Sequence, residues 1–120
     1  VEGRAIRARR EAEDVVWFGF RELCEGPRST ADYIEIARCY GTLFLSGVPA
    51  LGPAQDDAAR RFVTLVDELY DRGVKLVVSA ESDAPEGLYR GERLAFEFRR
   101  TASRLHEMRS RAYLSRPHRP

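Results

Sequence analysis

Hydrophobic positions between residues 56 and 82 follow two periods in succession. Ala59, Phe62, Val66, Leu69 and Tyr70 recur at spacings of three and four, which marks one face of an amphipathic helix. Asp56 is placed to cap its start. Gly73 follows the last periodic residue, where a left-handed stop favours a residue without a Cβ. The next run, VKLVVSA, is apolar at consecutive positions, as in a strand covered by helices on both faces. An earlier stretch repeats this unit. Ser29 or Thr30 caps a helix, ADYIEIARCY, whose apolar stripe is Tyr33, Ile34, Ala37 and Tyr40. The helix stops at Gly41 and leads into the strand TLFLSGV, ended by Pro49.

Upstream, residues 15–20 are β-branched and aromatic and read as the second arm of a hairpin. LCEGPRST follows as a loop. The order strand, helix-Gly-strand, helix-Gly-strand predicts an α/β fold, a three-layer α-β-α open sheet that is mainly parallel. Strands at 15–20, 42–48 and 75–80 should share that sheet, the last two parallel. Residues 1–20 form the hairpin and edge, and residues 29–82 the two repeated units. After the loop SDAPEG, the spacing of Phe98, Ala102, Leu105, Met108 and Ala112 predicts one long C-terminal helix within 94–115.

At 120 residues the chain is one domain at most, and 43% hydrophobic with 32% charged residues suits a folded, soluble one. No apolar run approaches the ~20 residues of a membrane span. The opening VEGRAIRARR carries neither an initiator Met nor the apolar stretch of a signal peptide. It suggests a piece of a longer, cytoplasmic polypeptide. Cys24 and Cys39 form no CxxC or Cys/His cluster, so both are expected to be buried, reduced thiols, with no metal site.

The net charge of +1 conceals an uneven distribution. From Arg99 onward there are seven arginines against one acid, Glu107, and the acids concentrate in the two central helices. A basic tail of this kind suits an anionic partner. The catalytic signatures of a self-sufficient enzyme are missing: no GxxxxGK[ST], GxGxxG or HExxH occurs. His106 and His118 lack a second ligand at usable spacing and read as surface residues. Ser46 and Ser79 end strands, and Trp17 reads as core. Asp67, Glu68 and Asp71 lie on a helix and read as a solvated acidic face.

Two arginine pairs stand out. Arg60 and Arg61 occupy the first turn of a helix, where the dipole disfavours cations. Arg100 and Arg104 lie one turn apart on one face, suited to phosphate oxygens because guanidinium stays charged and binds them bidentately.

Taken together, VVWFGFRELCEGPRSTADYIEIA, TLFLSGVP, DAARRFVTLVDELYDRGVKLVVSAE and LYRGERLAFEFRRTASRLHEMRSRAYL closely resemble the C-terminal part of the ZapE family. These are AAA-type P-loop ATPases of bacterial cell division, with mitochondrial relatives in inner-membrane protein quality control. The resemblance covers nearly the whole chain, in the family's order. It implies a cytoplasmic ATP hydrolase that uses ATP and Mg, forms a homo-oligomer and acts on a cell-division polymer. It also implies that the Walker motifs precede this region, so that this chain alone is inactive. By the same resemblance Arg60 or Arg61 is a candidate arginine finger acting on a neighbouring subunit's nucleotide. Arg100, with Arg104, is a candidate sensor-two contact in cis. Arg99 and Arg109 depart from the family, which carries Gln- or Glu-like residues there. The alternative is a non-catalytic basic module for nucleic acid or an acidic protein surface. Nucleic acid is disfavoured because Tyr113 is the single aromatic residue among the tail arginines.

Overall fold

The computed structural model describes residues 8–120. Its sheet has four strands: β1 (Arg10–Glu11), β2 (Val15–Gly19), β3 (Thr42–Val48) and β4 (Lys75–Ala80). They lie side by side in chain order. β1 pairs antiparallel with β2, while β2–β3 and β3–β4 are parallel. The expected parallel sheet is present, and a hairpin precedes it. Residues 1–7, the start of the expected hairpin region, lie outside the described residues.

Two short helices, α1 (Phe20–Cys24) and α2 (Thr30–Cys39), connect β2 to β3, and α3 (Asp56–Asp71) connects β3 to β4. Right-handed crossovers that advance in one direction deposit their helices on one side of a sheet. The burial pattern agrees. Val16, Phe18, Leu43 and Leu45 are fully buried beneath the helices, whereas the alternate positions Val15, Phe44 and Val77 are exposed. One helix layer is present among the described residues, and the opposite sheet face is open. The both-faces-apolar pattern of β4 therefore has a cover on one side only, with Val77 50% exposed.

The start of α2 forms as expected: the Asp32 carboxylate accepts the backbone N–H of its N-cap, Ser29, at 2.8 Å. Gly41 has another role than a left-handed stop. The C-cap Tyr40 is extended, and a Cβ on Gly41 would meet an Asp14 carboxylate oxygen at 2.5 Å. Gly41 donates its N–H to that side chain at 2.9 Å. Gly73 does take the left-handed conformation, with φ of 70°. Asp56 is the first helical residue of α3 rather than its cap, because a 3-10 turn over Pro53–Gln55 leads into the helix. The Asp56 carboxylate instead accepts the Tyr89 hydroxyl at 2.8 Å.

The expected single C-terminal helix is two helices, α4 (Ala95–Glu107) and α5 (Arg111–Leu114). Ser110 begins the second, its hydroxyl accepting the N–H of Tyr113. The break swings Tyr113, instead of Ala112, into the core, where its hydroxyl donates to the Leu69 and Val74 carbonyls. An aromatic file runs through that core: Phe20 meets Phe62 at 6.1 Å between centroids, Phe62 meets Phe98 at 6.0 Å, and Phe98 meets Tyr89 at 5.3 Å. It ties α1, α3, α4 and the segment after β4 into one body.

The tail closes the far end. Lys75 donates to the carbonyls of Gly73, Tyr113 and Arg116, so all three ammonium protons have acceptors. His118 reaches the Ala37 carbonyl at 2.6 Å, and the Arg119 N–H donates to the Arg72 carbonyl.

Candidate functional site

The strands β2, β3 and β4 end along one edge at Gly19, Val48 and Ala80, and α3 begins beside it. Open parallel sheets bind ligands at this edge. Arg60 and Arg61 lie in the opening turns of α3, hence at that edge.

The two arginines differ in what holds them. Arg61 is half-buried, and its guanidinium donates to the Cys24 carbonyl at 3.3 Å. Arg28 donates to the Glu22 carbonyl at 3.0 Å. Together they supply donors to the C-terminal carbonyls of α1, where a helix favours positive charge. Arg60 and Arg61 are the fifth and sixth residues of α3, not in its first turn as expected, so its dipole penalises them little, and the charge of Arg61 favours the neighbouring α1. Arg60 is exposed, and its guanidinium has no hydrogen-bond or ion-pair partner among the described residues.

Arg100 and Arg104 are held by a residue that looked like surface. Asp67, on α3, pairs with Arg104 at 2.5 Å and with Arg100 at 3.1 Å. Arg104 also stacks over the Tyr70 ring at 4.7 Å, and the Tyr70 hydroxyl donates to Glu107 at 2.6 Å. That hydrogen bond is the chief cause raising the Tyr70 pKa. Arg116 lies over both Tyr70 and Tyr113. Asp67 is thus part of an α3–α4 clasp rather than a solvated face. The two members of the arginine pair are unequal: Arg100 is 57% exposed, Arg104 only 26%.

The two arginine pairs do not converge. Asp67 lies six residues beyond Arg61 on α3, roughly 9 Å along the axis at 1.5 Å per residue. Arg61 faces α1, whereas Asp67 faces α4, which carries Arg100 and Arg104.

The remaining candidates have structural roles. Ser46 accepts the Trp17 indole N–H at 2.8 Å, and Ser79 accepts the Gly47 N–H at 3.0 Å. Trp17 is half-buried on the open sheet face, with the Arg9 guanidinium 5.9 Å from its ring, not in the core. His106 pairs with Glu86 at 2.6 Å. Cys24 is buried, and loss of solvation pushes its thiol up to about 12. Cys39 is exposed, contrary to expectation, because it is the last residue of α2 and off the buried face of Tyr33, Ile36 and Ala37. No group of three His, Cys, Asp or Glu side chains is placed to hold a metal among the described residues. No helix there is long and apolar enough to cross a membrane.

A profile of the AFG1-like ATPase family matches residues 1–117, almost the whole chain. The chain belongs to the AFG1-like ATPase family. Within that family, it is 50% identical to the cell division protein ZapE of Escherichia coli over 99 residues, which is 82% of this chain and 26% of that protein. It is 38% identical over 99 residues to lactation elevated protein 1 homolog B of Danio rerio, again 82% of this chain and 20% of that protein. The chain thus spans about a quarter or less of the length of these relatives. No solved structure matches it.

Proposed function

We infer that this chain is the C-terminal part of a cytoplasmic, homo-oligomeric ATPase that acts in cell division on a polymer-forming protein. The observation that carries the reading is the 50% identity to a protein named for cell division, within a family named for ATPase activity. ATP and Mg are held mainly by polypeptide outside this chain, which has no GxxxxGK[ST] motif. By itself the chain does not hydrolyse ATP.

Guanidinium groups with spare donors fit phosphate oxygens, and two of them meet that requirement here. Arg60, exposed and unpartnered at the ligand-binding edge, is the better finger; Arg61 is occupied with the carbonyl end of α1. Arg100 is the better phosphate contact of its pair. It can leave Asp67 for an anion while Arg104 stays on that carboxylate and on Tyr70. Arg104 therefore acts through position.

The test is ATP turnover of the protein at the length of its relatives. Arg60→Ala lowers turnover by ~10³-fold and leaves nucleotide affinity unchanged, because a trans arginine meets charge that develops in the transition state. Arg100→Ala weakens nucleotide binding. Mixtures of Arg60→Ala subunits with Walker-dead subunits recover activity at interfaces that join an intact site to an intact finger. Full turnover in the Arg60/Arg61 double alanine variant, or no recovery in mixtures, removes the finger assignment.

A further inference from the structure

On the flank of α4 away from Arg100 and Arg104 runs a groove of about 550 Å³, between that helix and residues 86–91. Leu94, Phe98 and Leu105 turn into the core, and the small side chains of Ala95, Ala102 and Ser103 leave a trough beside them. Tyr89 and Phe98, stacked at 5.3 Å, form its floor. Tyr89 is fixed there, because its hydroxyl donates to Asp56 at 2.8 Å and accepts the Leu94 N–H at 3.1 Å. From Ala95 to His106 the groove follows α4 for about 16 Å at 1.5 Å per residue.

One carboxylate and one guanidinium line it. The carboxylate, Glu86, is engaged by His106 at 2.6 Å. The guanidinium, Arg99, has no hydrogen-bond or ion-pair partner among the described residues. A free guanidinium beside an aromatic floor offers a carboxylate a bidentate partner. Phe96 lies three residues before Arg99, hence next to it on the helix surface. At 76% it is the most exposed large hydrophobic side chain among the described residues. A solitary exposed apolar residue is ordinary, but aromatic residues and arginine together are what protein interfaces concentrate.

We propose that this groove docks an acidic, apolar segment of a partner protein: an aliphatic or aromatic side chain sits over Tyr89 and Phe98, and a neighbouring carboxylate pairs with Arg99. Charge complementarity selects that occupant, since the one unpaired charge in the lining is a cation. Length selects a peptide over a compact metabolite. About five extended residues span 16 Å at 3.3 Å each, and Phe96 carries the apolar surface beyond the cavity itself. Nucleic acid fits less well. Phosphate-driven binding needs several cations together, and in the adjoining chain Glu92 and Glu97 offset Arg90 and Arg93. The proposal stands independently of any ATPase role.

A phage-displayed library of random short peptides, selected on the protein at the length of its relatives, tests it. The enriched sequences carry Asp or Glu within one helical turn of Leu, Ile or Phe. A synthetic peptide of the enriched sequence is then titrated by fluorescence anisotropy. Arg99→Glu weakens its binding by at least ~10-fold, as reversing one partner of a charge-assisted pair does, whereas Arg99→Lys keeps most of the affinity. Phe96→Ala weakens it by ~5-fold or more. Ser103→Trp fills the groove without changing its charge and abolishes binding. All three positions are exposed, so the variants keep the fold, checked by circular dichroism. No enrichment, enrichment of peptides without acids, or an affinity indifferent to Arg99→Glu and Ser103→Trp overturns the proposal. Displacement of the peptide by random-sequence DNA overturns it in favour of nucleic acid. Self-association that Arg99→Glu or Ser103→Trp abolishes also overturns it, because the groove then belongs to a second copy. ATP turnover does not enter this readout, so its outcome leaves the ATPase reading where it stands.

Discussion

The hydroxyl of Tyr113, in the last helix, donates to the carbonyl of Val74, just before β4, at 2.6 Å. The same hydroxyl reaches the Leu69 carbonyl at 3.2 Å, where α3 nears its end. One buried phenol therefore joins the tail to both a helix and the sheet. Tyr113→Phe leaves the Val74 carbonyl short of a donor, while Leu69 keeps the Val74 N–H, and lowers unfolding stability by about 1–3 kcal/mol, read by urea denaturation. A loss under a few tenths of a kcal/mol would refute this role.

Burial also pushes Tyr113 from 10.0 up to about 12. Below pH 10 the phenol is protonated both folded and unfolded, and it contributes no pH dependence. Between pH 10 and about 12 the unfolded state loses the proton and the folded state keeps it, so stability falls as pH rises. Tyr113→Phe should make the alkaline decline shallower. An unchanged slope between pH 10 and 12 counts against the assignment.

Asp67 holds two arginines of unequal burial. Asp67→Ala should cost about 1–3 kcal/mol, mostly through Arg104, which it leaves partly buried without its carboxylate. Arg100→Ala should cost less than about 1 kcal/mol, as an exposed pair does. Double-mutant cycles would give a larger coupling for Asp67 with Arg104 than with Arg100. Equal couplings would show that the two guanidinium groups are equivalent.

Gly73 combines a φ of 70° with a close approach by the tail, since a Cβ there would meet the Pro117 carbonyl oxygen at 2.6 Å. Gly73→Ala should destabilise by about 1–2 kcal/mol through backbone strain, with a further loss from displacing the tail. The tail should then become sensitive to protease. Removing residues 117–120 relieves the collision but not the strain, so the penalty of the substitution should shrink without vanishing.

The two cysteines should separate cleanly in a thiol-labelling experiment. Cys39 is exposed and should react with iodoacetamide in the folded protein. Cys24, buried and with its thiol pushed up to about 12, should react only after denaturant is added. Mass spectrometry of labelled peptides distinguishes them.

The repeated helix-Gly-strand pattern located β3, α3 and β4, because local periods and a left-handed glycine are short-range signals. The start of α2 is legible for the same reason as one of two residues, Ser29 or Thr30, of which the structure takes Ser29. The break at Ser110 was not, since Leu105, Met108 and Ala112 continue a helical spacing that competes with a serine cap; Tyr113, three residues after it, was the available clue. The partner of Arg100 and Arg104 lay beyond local reading. Asp67 is 33 and 37 residues away in sequence, and helix spacing alone could not reveal which neighbour its face would meet. Gly41 reads in the sequence as the stop of α2, but the reason for a glycine there, a facing carboxylate from Asp14, is tertiary.

Because the strands adjoin in the order in which they occur, each new strand finds its partner already made. Among the described strands, the β1–β2 contact closes over a short turn and each parallel contact over one or two helices. A ribosome emitting this chain releases it in the sequence in which it can assemble. The latch arrives last: Lys75 must wait some forty residues for the carbonyls of Tyr113 and Arg116, with separations of 38 and 41. Its third acceptor, the Gly73 carbonyl, is two residues away, so a local contact is present from the start and the end of the chain supplies the rest.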